Sequence, residues 1–443
     1  MKRLNSYAWV VLVGLSAAIG ASGGACATSK EGPLGSGAQA GGMGGLGGSG
    51  GSGGSGGDVI FPSASSGMGG GMLCDPGLLD KDDDGDGYSE NEMDCNDCDP
   101  NVNPGAVEVP TPTGAPDGGV DDGGLPAKPA DEDCDKLIDE APAPCDMGLM
   151  FNSEDPIEAT KAIGMCQFVK SAKWVLADGS DVPTDPTQLS KFHLGHGILT
   201  KFGTNNKPQE GSRMLMLSSG TARDATTGGS VPRNFDKGYT SNAPYGFPKP
   251  SPACPGVTTK LPHDATGIQI EVNVPTNALS ASFDFQFFTY EWSRFICKEF
   301  NDFFVAHVEP FPKGQTDGNI AFDGNGNPIS VNNAFINACG CPGNPPGTCT
   351  AVSPVGNFDF ACALGNTFLA GTPFATDDAL PGWTHGSTGW LRTTMAVTPG
   401  STFRIRLVTY DSSDGNLDSS TLIDNWQWYG TPGMAGTIDI PPN

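Results

Sequence analysis

Hydrophobic residues alternate with polar residues along several segments in the second half of the chain, and this pattern restricts the fold more than any other feature. Apolar side chains occupy every second position in residues 268–274, 283–287 and 403–407. Successive side chains of a β-strand point to opposite faces, so the pattern predicts strands with one buried face and one wet face. Residues 214–217 are all apolar, which predicts a more fully buried strand. Long helical periodicity is nearly absent. We therefore expect an all-β domain over residues 151–430, built as an antiparallel β-sandwich or jelly roll.

Other parts of the chain have too few large apolar residues to build a core. The 443 residues include 64 Gly and 37 Pro, well above the usual share. Residues 26–73 are dominated by Gly and Ser and are predicted to form a disordered, flexible tether. The acidic, Pro-rich residues 74–145 are predicted to form a small Asp/Cys-rich module that metal ions and disulfides hold in order. Residues 431–443 are assigned to a tail.

The N-terminus has the pattern of a secretory signal peptide over residues 1–25. Two basic residues precede an apolar run that reaches Ile19, and small residues lead from there to Cys26. Lipidation of Cys26 is one interpretation, and cleavage after Ala27 is the other. With a lipidated Cys26, 12 of the 13 cysteines remain, an even number that could pair in an oxidising compartment. We expect the protein to cross the inner membrane and to reside at the outer membrane or cell surface, held to the membrane by lipid alone.

The acidic segment has the residue types and spacing of a calcium loop. Carboxylates at alternate positions, separated by glycine, can surround one cation with hard oxygen ligands. An EF-hand loop also needs a glutamate at its twelfth position, and the two possible registers place Asn91 or Met93 there instead. Calcium is favoured over copper because the segment has no His or Met cluster and carboxylates prefer hard cations. The alternative is that these aspartates only solvate a linker. The candidate metal ligands are Asp80, Asp82, Asp84, Asp86, Asp94, Asp97, Asp99, Asp133, Asp135, Asp139 and Glu140.

Four short blocks in this segment resemble the MopE-type metal-binding motif of bacterial surface proteins. The blocks are residues 82–88, 94–97, 103–108 and 133–140. The resemblance implies calcium-like acidic loops and, in the protein for which the motif is named, copper. Two features depart from the motif. Val109 stands where the motif has a cysteine, and a Pro/Gly-rich insertion follows it.

The β-rich segment resembles the choice-of-anchor L domain. The similarity rests on residues 217–222, 283–305, 318–321 and 397–425, which follow one another in the family's order. It covers roughly residues 159–430. The resemblance implies an exported protein tied to the cell surface, and it supplies no biochemical activity. Cysteines in this segment are expected to form disulfides across long loops, with a connectivity that the sequence leaves open.

These observations lead to a non-enzymatic surface protein that adheres to an unidentified surface protein or glycan. The net charge of −26 argues against binding to nucleic acid or to anionic membranes. One alternative is a secreted, glycan-acting hydrolase with catalytic carboxylates among Glu291, Asp302 and Asp424. Another is a passive structural spacer. A second calcium site or a sugar-binding loop could also form in the β-rich segment, although Asp and Asn more often make turns and cap strand ends. Its candidate residues are Asn301, Asp302, Asp411, Asp414, Asp418 and Asp424.

Overall fold

The computed structural model describes most of the chain that follows the glycine-rich tract. The residues it describes are 78–109, 130–332, 335–339, 351–352, 359–360, 362–375 and 385–441. The predicted signal peptide, the tether and the lipidation site Cys26 lie outside these residues. Within them, no helix is both long enough and apolar enough to cross a membrane.

Strands dominate the described residues, and helices are short. Asp155 and Asp185 accept hydrogen bonds from the first backbone N–H groups of the two α-helices, and each helix has proline in its first turn. The helices are α1 (Pro156–Lys161) and α2 (Pro186–Leu194), and a 3₁₀ turn forms at Glu90–Glu92 and at Pro373–Ala375. The strands are β1 (Val169–Val175), β2 (His196–Leu199), β3 (Met214–Ser218), β4 (Pro262–Asn273), β5 (Ser280–Thr289), β6 (Phe303–Glu309), β7 (Ile329–Ser330), β8 (Ala338–Cys339), β9 (Ala351–Val352), β10 (Asp359–Phe360), β11 (Gly386–Ser387), β12 (Leu391–Ala396), β13 (Thr402–Ser412), β14 (Ser419–Tyr429) and β15 (Gly436–Asp439).

Two antiparallel sheets form the body of the protein. One has the order β1-β4-β13-β6-β7, and the other has the order β15-β12-β5-β14-β3-β2, with β11 paired to β5 and β8 paired to β11. The predicted all-β sandwich is confirmed. Strand β15 pairs with β12, so the segment that the sequence assigned to a tail contributes an edge strand.

The main core lies between the two sheets. Ile270 of β4 and Ile405 of β13 belong to one buried apolar cluster with Phe283 and Phe285 of β5. The ring of Phe285 lies 4.7 Å from the ring of Phe304 in the opposite sheet, measured between centroids. Burial of these aromatic and branched side chains supplies most of the free energy that favours the folded sandwich.

Strand β5 departs from the expected alternation of one buried and one wet face. All ten of its residues are buried, because other elements cover its second face. There the Asp284 carboxylate pairs with the guanidinium of Arg392 at 2.7 Å and 2.9 Å, and the Gln286 amide donates to the Ser387 hydroxyl at 2.8 Å. The polar residues that alternate along β5 are therefore buried and hydrogen-bonded rather than exposed to solvent.

Disulfides connect segments that burial alone does not hold together. Cys254 bonds to Cys297 and Cys339 bonds to Cys362 within the β domain. Cys95 bonds to Cys134 across the acidic module, and Cys145 bonds to Cys166 where the module joins the β domain. The prediction of disulfide-braced loops is confirmed for these four pairs.

Candidate metal centre

Five aspartates gather in the first half of the acidic module and form the N-terminal carboxylate group. Two sets of three, which share Asp84, each bring carboxylate oxygens within 4.8 Å of one another. The sets are Asp82, Asp84 and Asp86, and Asp84, Asp94 and Asp97. This spacing allows one divalent cation to contact several oxygens, and the shared carboxylate can bridge two ions.

The local backbone holds these aspartates in place. The Asp82 carboxylate accepts hydrogen bonds from the N–H groups of Gly85 and Gly87 at 2.6 Å and 3.0 Å. Both glycines have φ near +90° (86° and 101°), a conformation that other residues adopt only with strain. Asp84 and Asp94 likewise bond the backbone two residues further on through Oδ1, while Oδ2 of each is buried without a hydrogen-bond partner among the described residues. Buried carboxylate oxygens left in this way are suited to a cation.

A second gathering, the C-terminal carboxylate group, contains two residues that the sequence did not single out. Its two sets share Asp133 and consist of Glu108, Asp131 and Asp133, and of Asp133, Asp135 and Glu140. The Glu108 carboxylate accepts hydrogen bonds from the backbone N–H groups of Glu132 and Asp139. These bonds connect the residues before the insertion with those after it. Asp131 Oδ1 and Glu140 Oε2 are buried without a hydrogen-bond partner within the described ranges.

The sequence offered a signal for one of the missed residues. Glu108 closes the third block of the MopE-type motif but was not named as a ligand. Asp131 lies two residues before the start of the fourth block, and only the folded chain shows that its carboxylate lies near those of Asp133 and Glu108.

Three predicted ligands lie outside both groups. Asp80 accepts a hydrogen bond from the Asn91 side chain, and Asp99 accepts from the N–H and the side-chain amide of Asn101 at 3.1 Å and 3.0 Å. The N–H of Asp139 donates to Glu108 at 2.7 Å, but its own carboxylate belongs to neither group. These residues shape the loops around the two groups.

Electrostatics favour a cation at both groups. Burial, together with the neighbouring charges of Asp86 and Asp94, raises the pKa of the Asp84 carboxyl to about 6. Burial raises the pKa of Asp94 and of Glu108 in the same direction. A carboxylate whose pKa is raised in this way is a destabilised anion, and a divalent cation among the oxygens removes the repulsion.

A short chain of hydrogen bonds joins the N-terminal carboxylate group to the β domain. Asp86 Oδ2 accepts from the Asn103 side chain at 2.6 Å, and Asn103 Oδ1 accepts from the Thr276 hydroxyl at 2.8 Å. Thr276 lies in the turn between β4 and β5, and the neighbouring Asn277 exchanges two hydrogen bonds with the backbone of Val107 at 3.0 Å and 2.8 Å. The module is thus fastened to the edge of the sandwich through residues that also support the candidate ligands.

The β domain matches a known family. The family model of the choice-of-anchor L domain matches residues 182–426, which is more than half of the chain. The chain belongs to the choice-of-anchor L family. No curated protein matches the sequence significantly. The choice-of-anchor L domain is a non-enzymatic type of surface domain, and together with the disulfides it indicates an extracellular or cell-surface protein.

The choice-of-anchor L domain contains its own gathering of acids, which we call the buried acid cluster. Its members are almost inaccessible to solvent, and they are Glu291, Asp302, Asp411 and Asp418. Asp302 accepts from the Ser419 hydroxyl at 2.6 Å, and Asp411 accepts from the Ser219 hydroxyl at 2.6 Å. Among the described residues, groups of three or more acids whose oxygens all lie within 4.8 Å of one another occur in the acidic module alone, so the structural interpretation of these aspartates is favoured over a second calcium site.

Protons stabilise the buried acid cluster. Burial raises the pKa of Asp411 to about 7 and raises the pKa of Asp302 well above its usual value. The fully buried Lys237 lies nearby, and burial lowers its pKa to about 8. Its ammonium group donates to the carbonyl oxygens of Ser218 and Asp264 at 2.7 Å and 2.9 Å, so it offsets only part of the cluster's charge.

The carboxylates of the hydrolase alternative do not meet in an open cleft. Glu291 and Asp302 are buried in the cluster, where Glu291 Oε2 accepts from the N–H of Asp302 at 3.0 Å. Asp424 is fully buried on β14, where it accepts from the backbone of Gln209 and Asn425 at 2.5 Å and 2.7 Å. A glycosidase needs a carboxylate pair that flanks an accessible sugar, and these residues line neither the cleft beside Phe151 nor the cleft beside Trp390.

Proposed function

We propose that this protein is an exported surface protein in which calcium orders the acidic module and fastens it to a choice-of-anchor L domain that binds a partner outside the cell. One observation carries the calcium part of the proposal. In the N-terminal carboxylate group, buried oxygens of Asp84 and Asp94 accept no hydrogen bond within the described residues, yet both belong to a set with ligand spacing.

Calcium is favoured over copper because every residue of the two groups is an Asp or a Glu. Carboxylate oxygens prefer hard cations, whereas copper is bound more often by imidazole or sulfur. Extracellular modules of this kind bind calcium with dissociation constants of about 10⁻⁴ to 10⁻³ M. The site would therefore be filled at extracellular calcium concentrations and emptied by a chelator.

The role of the ion is structural in this proposal. The acidic module has few buried apolar residues, among them Val102 and Ala106, so the cation replaces the core that the segment lacks. The hydrogen bonds from Asp86 through Asn103 to Thr276 carry that order to the turn between β4 and β5. Loss of the ion is expected to loosen the module while the sandwich stays folded.

The remaining parts of the proposal concern attachment and partner. A lipid on Cys26 would hold the protein at the outer membrane or cell surface, and the glycine-rich tether would give the folded part reach. The choice-of-anchor L domain would then meet a surface protein or a glycan. With 50 acidic residues against 24 basic ones, the protein is poorly suited to nucleic acid.

Calcium titration of the mature chain tests the proposal. Protein stripped of metal is titrated with CaCl₂ in a calorimeter, and circular dichroism is recorded with and without chelator. We expect saturable binding in the range given above and a spectral change on chelation. The Asp84→Asn/Asp94→Asn variant should lose the binding at the N-terminal carboxylate group and keep that at the C-terminal group, because an amide supplies no charge to the cation.

Asp99→Asn provides the matched control, because Asp99 lies in the same module but outside both carboxylate groups. This variant should bind calcium as the unaltered protein does. The proposal fails if the stripped protein binds no calcium, or if Asp99→Asn weakens binding as much as the double variant.

A further inference from the structure

A cleft of about 370 Å³ opens at the edge of the larger sheet. The backbone N–H of Ile198 in the edge strand β2 donates to the carbonyl of Phe151 at 3.0 Å, so residues 149–151 run along that edge and form one wall. Residues 198–201 form the floor, and residues 224–227 form the opposite wall. The volume of the cleft lies at the lower end of the range for small-molecule sites, which suits a single sugar residue or a ligand of similar size.

Two basic side chains line this cleft without a carboxylate partner. Among the described residues, the guanidinium of Arg213 donates to the carbonyl oxygens of Leu149 and Ser212, at 3.4 Å and 3.3 Å, and to no carboxylate. Lys201 is exposed and forms no ion pair within the described part of the chain. Two unpaired bases that face one cleft are notable in a chain with twice as many acids as bases, and they favour an anionic ligand.

Two acids lie in or beside the cleft, and backbone N–H groups bond to both carboxylates. Asp224 accepts the N–H of Gly203 at 2.7 Å and the N–H and hydroxyl of Thr226 at 3.0 Å and 2.8 Å, and these bonds lower its pKa. Its charge balances part of that of Lys201. Asp146 accepts the backbone N–H of Arg213 at 2.6 Å and does not pair with the guanidinium. Hydrogen bonds leave both acids negatively charged, so the lining of the cleft, with Arg213 and Lys201 against Asp224, carries one net positive charge.

The remaining lining combines an aromatic ring with hydroxyl groups. The Phe151 side chain is 44% exposed, and the Arg223 guanidinium lies 5.7 Å from its ring centroid and helps to hold it in place. Thr200 and Thr227 bring hydroxyl groups to the rim. The apolar face of a sugar ring can pack on an aromatic side chain, its hydroxyl groups can bond to threonines, and arginine binds carboxylate through two parallel hydrogen bonds.

We propose that this cleft binds a carboxylated sugar, such as a uronic or sialic acid residue, with Arg213 and Lys201 on its carboxylate. The inference rests on the proposed surface location and names a class for the glycan partner. It does not depend on the calcium groups, because Asp84 and Asp94 do not line the cleft.

Titration calorimetry of the full chain tests the proposal with galacturonic acid oligosaccharides and with N-acetylneuraminic acid. Neutral galactose oligosaccharides and a short peptide with a free C-terminal carboxylate serve as comparison ligands. We expect at least one acidic sugar to bind and the neutral sugars to bind at least about tenfold more weakly. Arg213→Gln should weaken binding by about tenfold or more, the usual effect of losing a charged hydrogen bond.

Lys207→Gln is the matched control. It removes one positive charge, as Arg213→Gln does, but Lys207 is exposed and does not line the cleft. It should bind like the unaltered protein. Lys201→Gln tests the same cleft from an exposed position in case Arg213→Gln does not fold. The proposal is overturned if neither acidic sugar binds, or if Lys207→Gln weakens sugar binding as much as Arg213→Gln does. It is also overturned if the peptide binds more tightly than the acidic sugars. The Asp84→Asn/Asp94→Asn variant should still bind the acidic sugar. That result would show that sugar binding and calcium binding can fail independently.

Discussion

The acidic module and the choice-of-anchor L domain both gather carboxylates, but the two regions place them in opposite surroundings. In the module the acids lie on irregular loops between a glycine-rich turn and a disulfide, and their sets have the spacing of metal ligands. In the β domain, Asp302 and Asp411 are enclosed by strands and bonded to serine hydroxyl groups. Aspartate is therefore arranged to bind cations in the acidic module and to bind protons in the β domain.

The difference teaches how each region compensates for crowded negative charge. A loop region with few apolar contacts can admit a solvated cation and arrange oxygens around it. A packed sandwich has no room for that exchange, so burial raises the pKa of its acids until they hold protons. Four predictions probe this contrast, in order of decreasing effect.

The largest effect is expected from Phe285→Ala in β5. Phe285 is fully buried and packs on Phe304 of the other sheet, so the substitution should lower the free energy of unfolding by about 3–5 kcal/mol. Calcium affinity of the folded protein should not change. Denaturant unfolding followed by tryptophan fluorescence measures the loss. Met434→Ala, at a side chain that is 87% exposed, should change stability by less than about 0.5 kcal/mol.

Removal of disulfides should separate the two regions. Cys95→Ser/Cys134→Ser opens the module and is expected to destabilise it by about 2–4 kcal/mol, with weaker calcium binding and faster proteolysis of the module. Cys254→Ser/Cys297→Ser should instead lower the unfolding midpoint of the β domain and leave calcium affinity intact. Calorimetric titration and thermal scans of both variants measure this crossover. A loss of calcium binding in the second variant would mean that the regions fold as one unit.

In the metal-free protein, the Asp411 carboxyl alone should lower the stability by about 2 kcal/mol between pH 5 and pH 7. Burial raises the pKa of Asp411 to about 7 and raises that of Asp264 in the same direction, whereas the unfolded carboxyls titrate near pH 4. The folded state holds more protons in this window, so an increase in pH favours unfolding. Lys237, with a pKa of about 8, stays charged in both states below pH 7. Denaturant titrations at several pH values would refute the idea if stability rose with pH.

The smallest effect compares one substitution in the two regions. Asp411→Asn should stabilise the protein by about 1 kcal/mol at pH 7, because the amide carries no charge and can still accept from Ser219. Asp84→Asn should leave the unfolding midpoint of the metal-free β domain unchanged and weaken calcium binding. Thermal scans and calcium titrations of both variants measure the contrast. Destabilisation by Asp411→Asn at pH 7 would show that the ionised carboxylate is required.

Local patterns in the sequence predicted the features that depend on neighbouring residues. Alternation predicted the strands, and the spacing of Asp82, Asp84 and Asp86 placed three acids in one set because the loop bonds to its own backbone. Asp131 was missed because it meets Glu108 across an insertion of about twenty residues. The second face of β5 was predicted to be wet, but Asp284 on that face is buried and pairs with Arg392 of the neighbouring strand β12, which is distant in sequence.

By itself, the sequence determined the all-β class, because alternation of period two acts locally. It also indicated the family, through motifs that resemble the choice-of-anchor L domain and follow its order. Only the tertiary structure decided which acids face one another and which are buried. Burial depends on surfaces supplied by residues far apart in the chain, so Asp84 and Asp411 look alike in sequence and differ in chemistry once the sheets have closed.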